Sequence, residues 1–192
     1  MNSYWTPTAR QLMNKRLWIL GYYSEDYEGD FCAFETLRQQ SSYIDVYADF
    51  AYQLQPDGQF LGQVNIQTLQ EAIERGIAPL IHFHNFNGRV FDPLPLRSVL
   101  SSTASQRNCI HHMINSLPPN VAGIHVDFKG VEAAFRIPFL TFLESLSVTL
   151  HDRGLLLTIA LAMKQPASGR KSPTNSNDNL SYPNFFDSPI CQ

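Results

Sequence analysis

His125, Asp127 and Lys129 stand two residues apart in the segment Val121-Ala122-Gly123-Ile124-His125-Val126-Asp127-Phe128-Lys129-Gly130. Side chains of a β-strand alternate between faces, so these three share one side while Ile124, Val126 and Phe128 share the other. A strand buried in a parallel sheet ordinarily reads apolar on both faces. A row of ionisable groups running to its C-terminal end points instead to the mouth of an α/β barrel, where reacting groups gather. His82 and His84 form a second such row, His-x-His, in the apolar run that ends at His84. Two chemistries could use these residues. Paired acid and base groups could move a proton to a leaving group, or the imidazoles and the carboxylate could hold a metal, as in amidohydrolase barrels. Such a centre needs further ligands from later strands, which this sequence does not supply, so no metal and no cofactor are expected.

The elements that must position these groups follow from periodicity. Residues 17–23 form an apolar, β-prone first strand. Residues 34–40 suit a short helix, and residues 43 to about 54 a second strand closed by the Pro56-Asp57-Gly58 turn. Asn65 is placed to cap a helix reaching about residue 75, with Ile66, Leu69, Ala72 and Ile73 on one face and Gly76 as its stop. Residues 78–84 are the third strand. A loop rich in Asn, Gly and Pro then leads to a helix at about residues 104–116, ended by Pro118 and Pro119. After the fourth strand, residues 132–152 read as a helix with a stripe of Phe135, Phe139, Phe142, Leu143, Leu146 and Leu150, kinked or begun at Pro138. Residues 155–163 form a fifth strand. Strand and helix alternating with short links predict parallel strands joined by right-handed crossovers.

The decapeptide resembles the strand-four motif of glycoside hydrolase family 18, Asp-Gly-x-x-x-Asp-x-Glu. Gly123 and Asp127 match its glycine and last aspartate. Ala122 replaces the first aspartate, His125 stands where aspartate or asparagine is usual, and Lys129 occupies the place of the glutamate. Further segments recur in the same order in the bacterial branch of that family, which includes spore-cortex and peptidoglycan N-acetylglucosaminidases. They are Gly21-Tyr22-Tyr23-Ser24-Glu25-Asp26, Tyr43-Ile44-Asp45, Pro56-Asp57-Gly58, His84-Asn85-Phe86-Asn87-Gly88 with Phe91-Asp92, and Arg153-Gly154-Leu155-Leu156-Leu157-Thr158. The resemblance runs over roughly residues 17–164.

It implies an α/β fold, a partial (β/α)8 TIM barrel of about five parallel strands with helices, and an ancestral activity. Family 18 enzymes cleave N-acetylglucosamine-containing glycans such as peptidoglycan or chitin by substrate assistance, the 2-acetamido oxygen attacking its own anomeric carbon. A strand-end glutamate protonates the leaving oxygen, and the aspartate two residues earlier orients the acetamide. Carried over, Asp127 keeps the orienting position, Tyr22, Tyr23, His84 and Asn85 fall on sugar-binding positions, and Lys129 sits where the acid belongs. A lysine, with an ordinary pKa of about 10.4, is a poor general acid near neutral pH. An Asp127 to Lys129 ion pair and an inactive domain are therefore expected. Glu132, at an odd offset from 129, does not replace the acid. Two alternatives stay open: a non-catalytic amino-sugar-binding module, and a barrel fragment completed by another polypeptide. Tyr47 and Phe86 are further aromatics near strand ends, where they could stack on sugar or simply pack.

Fourteen Lys and Arg against 17 Asp and Glu give a net charge of -3, and the basic residues are scattered, so no nucleic-acid partner is expected. Cys32, Cys109 and Cys191 form no Cys-x-x-Cys unit and fit reduced thiols. No long apolar run precedes Arg16, and residues 17–20 are too few for a signal core or a membrane span. As written, the product is expected in the cytoplasm with no membrane partner, although relatives in this branch are often secreted or spore-associated. Residues 1–16 read as a loose leader. From residue 165 to 192, Pro, Ser and Asn replace aliphatic periodicity, which reads as a disordered tail. A complete barrel takes about 250 residues. The expectation is a barrel truncated by a frameshift or stop near Lys164, with open edges through which copies could associate.

Overall fold

Parallel strands flank His125 on both sides in the computed structural model, which describes Thr6, Ala9, Leu12 and residues 17–25 and 32–161. In chain order the strands are β1 (Leu20–Tyr23), β2 (Val46–Leu54), β3 (Phe60–Gly62), β4 (Ala78–His84), β5 (Gly123–Asp127) and β6 (Leu156–Ile159). They form one sheet in the order β1-β2-β4-β5-β6, every neighbouring pair parallel. β3 was not expected from the sequence. It turns back after Gly58, whose φ of 79° suits a residue without a Cβ, and pairs antiparallel with the end of β2. The helices are α1 (Cys32–Gln40), α2 (Ile66–Glu74), α3 (Pro93–Leu100), α4 (Thr103–Asn115) and α5 (Arg136–His151). This is the α/β pattern of a partial (β/α)8 barrel. The expected disordered tail lies outside the described residues.

Local chemistry sets the helix ends. Asn65 accepts from the Thr68 amide and starts α2, and Gly76, with φ 74°, closes it. Ile66, expected on the buried face of α2, is 52% exposed, while Thr68, Leu69 and Ala72 are the buried residues of that helix. α3 corrects the expectation of a loop: Asp92 caps it through the Leu94 amide and Pro93 opens it. Pro138 falls in the first turn of α5, where its missing N–H has no helical partner to lose, so it begins the helix rather than kinking it. By length and composition residues 133–151 could also cross a membrane. Here Phe139, Phe142, Leu143, Leu146 and Leu150 are buried in the core shared with Ile124 and Val126 of β5, each worth about 1.5–3 kcal/mol against exposure.

The sheet has two differently filled faces. On the helix-bearing face, Ile81, Phe83, Ile124, Val126 and Phe128 join the main core. On the opposite, inner face, Val46, Ala78, Leu80, Ala122 and Leu156 pack with Ala9 and Leu12 of the N-terminal segment. The Thr6 amide donates to the Gly154 carbonyl at 2.9 Å, and Trp18 Nε1 donates to the Leu12 carbonyl at 2.9 Å. At these positions the expected loose leader is packed across the base of the inner face, while Trp5 lies outside the described residues.

Candidate active site at the strand ends

Parallel register stacks the inner face in layers. Leu80, Gly123 and Leu156 align in one layer, His82, His125 and Thr158 in the next, and His84 with Asp127 at the C-terminal ends of β4 and β5. The glycine at 123 has a steric cause: a Cβ there would meet the Leu156 nitrogen at 2.6 Å, so only glycine lets β5 approach β6 this closely. Apolar side chains thus floor the site and ionisable ones line its mouth.

Lys129 Nζ lies 3.1 Å from Asp127 Oδ1 and 3.2 Å from Oδ2, hydrogen-bonding the latter, and sits 4.2 Å from the centroid of the Phe91 ring. Asp127 is 5% exposed, and His82 Nε2 approaches its Oδ2 at 3.7 Å. Burial alone would raise the Asp127 carboxyl, but contact with His82 and Lys129 outweighs it and holds the group below the usual carboxylate range. The ion pair expected from the sequence is formed, and Asp127 is ionised within it.

The histidines are hydrogen-bonding dipoles. Burial first, then the neighbouring His82, pushes His84 and His125 each down to about 4, so both are neutral at neutral pH. His84 Nδ1 accepts from the Phe86 amide at 3.1 Å, which leaves its proton on Nε2. His125 Nδ1 is 2.7 Å from Thr158 Oγ1, which itself contacts the Ile124 carbonyl at 3.4 Å, and His125 Nε2 is 2.9 Å from the Tyr22 hydroxyl. The chain closes when Thr158 donates to Ile124 and accepts from His125, and Tyr22 donates to His125. His82 is fully buried and neither ring nitrogen has a hydrogen-bond partner. Among the described residues no group of three His, Cys, Asp or Glu side chains is arranged to hold a metal ion.

Of the residues picked from the sequence, the structure brings together Tyr22, His84, Asp127 and Lys129. Tyr22 is 57% exposed and its ring stands 5.5 Å from that of His82. Tyr23 is a correction. As the next residue of the strand it points to the helix-bearing face, where it is 5% exposed and donates to Glu25 Oε1 at 2.7 Å. Asn85 is also not open to a ligand: its Nδ2 donates to the Asp92 and Lys129 carbonyls at 2.8 and 2.7 Å, and its Oδ1 accepts from the Lys129 amide at 2.9 Å. It braces the loop after β4 against the loop after β5. Tyr47 is 1% exposed among Tyr23, Leu37, Ala72 and Ile77, and Glu132 is engaged by Arg97. Phe50 is the residue that sequence reasoning missed. Its ring stacks on His84 at 3.9 Å and meets His82 edge-on at 4.6 Å, walling the site from β2.

No family model matches the chain. It is 24% identical over 155 residues to YdhD of Bacillus subtilis (strain 168), whose name assigns it provisionally to sporulation-specific glycosylases; the match covers 80% of this chain and 34% of that protein. Among solved structures, the spore cortex-lytic enzyme SleL of Bacillus megaterium QM B1551 superposes with a TM-score of 0.68 at 22% identity, over 80% of this chain and 36% of that one. A chitinase from Chromobacterium violaceum ATCC 12472 does so with a TM-score of 0.65 at 22% identity, over 74% and 44%. The chain thus spans about a third of the curated relative and less than half of either structure. The strand order and these likenesses agree on the fold: this chain has the partial α/β barrel of those proteins, and its motifs resemble those of glycoside hydrolase family 18.

Proposed function

We propose that this domain descends from enzymes that cleave N-acetylglucosamine-containing glycans and is itself not a glycosidase by the acid route of that family. The observation that carries this is Lys129, whose ammonium lies 3.1 Å from the Asp127 carboxylate at the position of the proton donor. Substrate-assisted cleavage needs a carboxylic acid there and a free orienting carboxylate beside it. Here the first is a cation, and the second is bound to that cation.

What the site keeps supports binding of an amino sugar. Tyr22 offers an exposed aromatic face at the mouth, as sugar rings require. Beside it, His125 Nε2 meets the Tyr22 hydroxyl at 2.9 Å and holds that ring in place. The test is calorimetric titration of the purified chain with chitotetraose, with the mixture then assayed for shorter sugars. Heat of binding without products is the expected result, and Tyr22→Ala abolishes the heat. Products formed by the wild type and lost in Asp127→Ala overturn the proposal.

A further inference from the structure

A second group of ionisable side chains lies on the other face of the same strands. Asp49 of β2 is 5% exposed beneath the N-terminus of α2, and its Oδ2 accepts the backbone N–H of Asn65, the cap of that helix, at 3.2 Å. Asn65 Nδ2 donates to Glu25 Oε1 at 2.7 Å, Tyr23 donates to the same oxygen at 2.7 Å, and Thr68 Oγ1 donates to the Tyr23 hydroxyl at 3.2 Å. The buried Tyr47 hydroxyl faces Asp49 without completing a hydrogen bond of good geometry. One polar network therefore ties the ends of β1 and β2 to the start of α2.

The network shares its strands with the mouth, residue for residue. Tyr23 follows Tyr22, and Phe50 follows Asp49. The register between β2 and β4 breaks between Asp49 and Tyr52, so Phe50, on the inner face in step with Val46 and Ala48, stands where the pairing of β2 with β4 is interrupted by a bulge. What holds Asp49 on one face therefore bears on where Phe50 is held on the other.

We propose that Asp49 is a proton-operated latch, its carboxyl gaining a proton in mildly acidic solution and thereby setting how firmly the bulge holds Phe50 against His82 and His84. The charged and titratable groups that face it among the described residues are Glu25 after β1, Tyr23 on β1 and Tyr47 on β2; α2 presents the neutral Asn65 and Thr68. Two carboxylates in one partly closed network repel, so a proton on Asp49 relieves both its burial and its neighbour. Burial, with Glu25 adding to it, raises the Asp49 carboxyl to about 6 against the opposing pull of the nearby Tyr47 hydroxyl and the donating Asn65 amide. The sign follows: the folded state binds the proton that the unfolded chain has already released, so this group weakens the fold as pH rises from about 4 to about 6.

Asp49→Asn carries the neutral form at every pH. Its melting temperature is expected to exceed that of the wild type at pH 7.5, with the gap narrowing below about pH 6 and closing near pH 4; a gap independent of pH overturns the latch. Taking the difference cancels the histidines, which both proteins share. Should the variant fail to fold, carboxyl-carbon NMR of the wild type decides: a midpoint near 6 for Asp49 is expected, and an ordinary aspartate midpoint overturns the proposal. Phe50 ring resonances are expected to follow that same midpoint, well above the titration of His84; ring resonances that ignore it overturn the link to the mouth. None of these readouts involves a glycan, so their failure leaves the functional proposal standing, and the reverse holds.

Discussion

The Lys129 ammonium bridges both oxygens of Asp127, at 3.1 and 3.2 Å, while its other side rests on the Phe91 ring. A side chain held from two sides is positioned rather than swinging in solvent, and its partner carboxylate is almost fully enclosed. Lys129→Met leaves that carboxylate buried without its cation. Because Lys129 is itself about one-third exposed, the expected loss is discounted to about 1–2 kcal/mol. Chemical denaturation at pH 7 measures it, and an unchanged midpoint contradicts the role given to the pair.

Asn85 makes three hydrogen bonds to backbone groups from a site 1% exposed. Asn85→Leu leaves the Asp92 and Lys129 carbonyls and the Lys129 amide unpaired in the interior. The expected loss is about 3 kcal/mol, read by denaturation. Asn85→Asp is expected to be no better, since a carboxylate accepts from the amide but cannot donate to two carbonyls. A variant as stable as the wild type would show that water replaces these bonds.

His84 and His125 have folded values near 4 against an ordinary 6.5. Between those limits the unfolded chain holds more protons, so the stability these rings contribute is complete above about pH 6.5 and is lost as pH falls toward 4. Asp49 acts in the opposite sense over an overlapping window. Two histidines outweigh one carboxyl, so the melting temperature is expected to fall on acidification from pH 7 to pH 4.5. Asp49→Asn is expected to fall more steeply, having lost the opposing group. Proton NMR of the imidazoles assigns the effect, and imidazole midpoints near 6.5 contradict it.

Much of this architecture could be read from residue order. Residues 78–84 were delimited correctly because the run is apolar and bounded by Gly76 on one side and the polar Asn85 to Gly88 loop on the other. The Asp127 to Lys129 pair followed from period two alone, since residues two apart share a face. The same rule separates Tyr22 from Tyr23: only one of two consecutive strand residues can point into the mouth. α3 was hidden in a segment dense in Asn, Gly and Pro, although Asp92 before Pro93 carries a helix start. β3 is three residues long, too short for periodicity to register. The facing of Phe50 follows from the same period of two, in step with Val46 and Ala48, but its stacking on His84 depends on how β2 lies against β4, and Thr158 meets His125 only through the register of β5 with β6.

The central claim is that a cation tied to Asp127 has replaced the proton donor of a glycan hydrolase. Mass spectrometry of chitotetraose and of digested peptidoglycan incubated with the purified chain between pH 4 and 8 tests it most directly. The account predicts intact glycans at every pH, for the wild type and Asp127→Ala alike. Enzyme-dependent cleavage by the wild type that disappears in Asp127→Ala would contradict it.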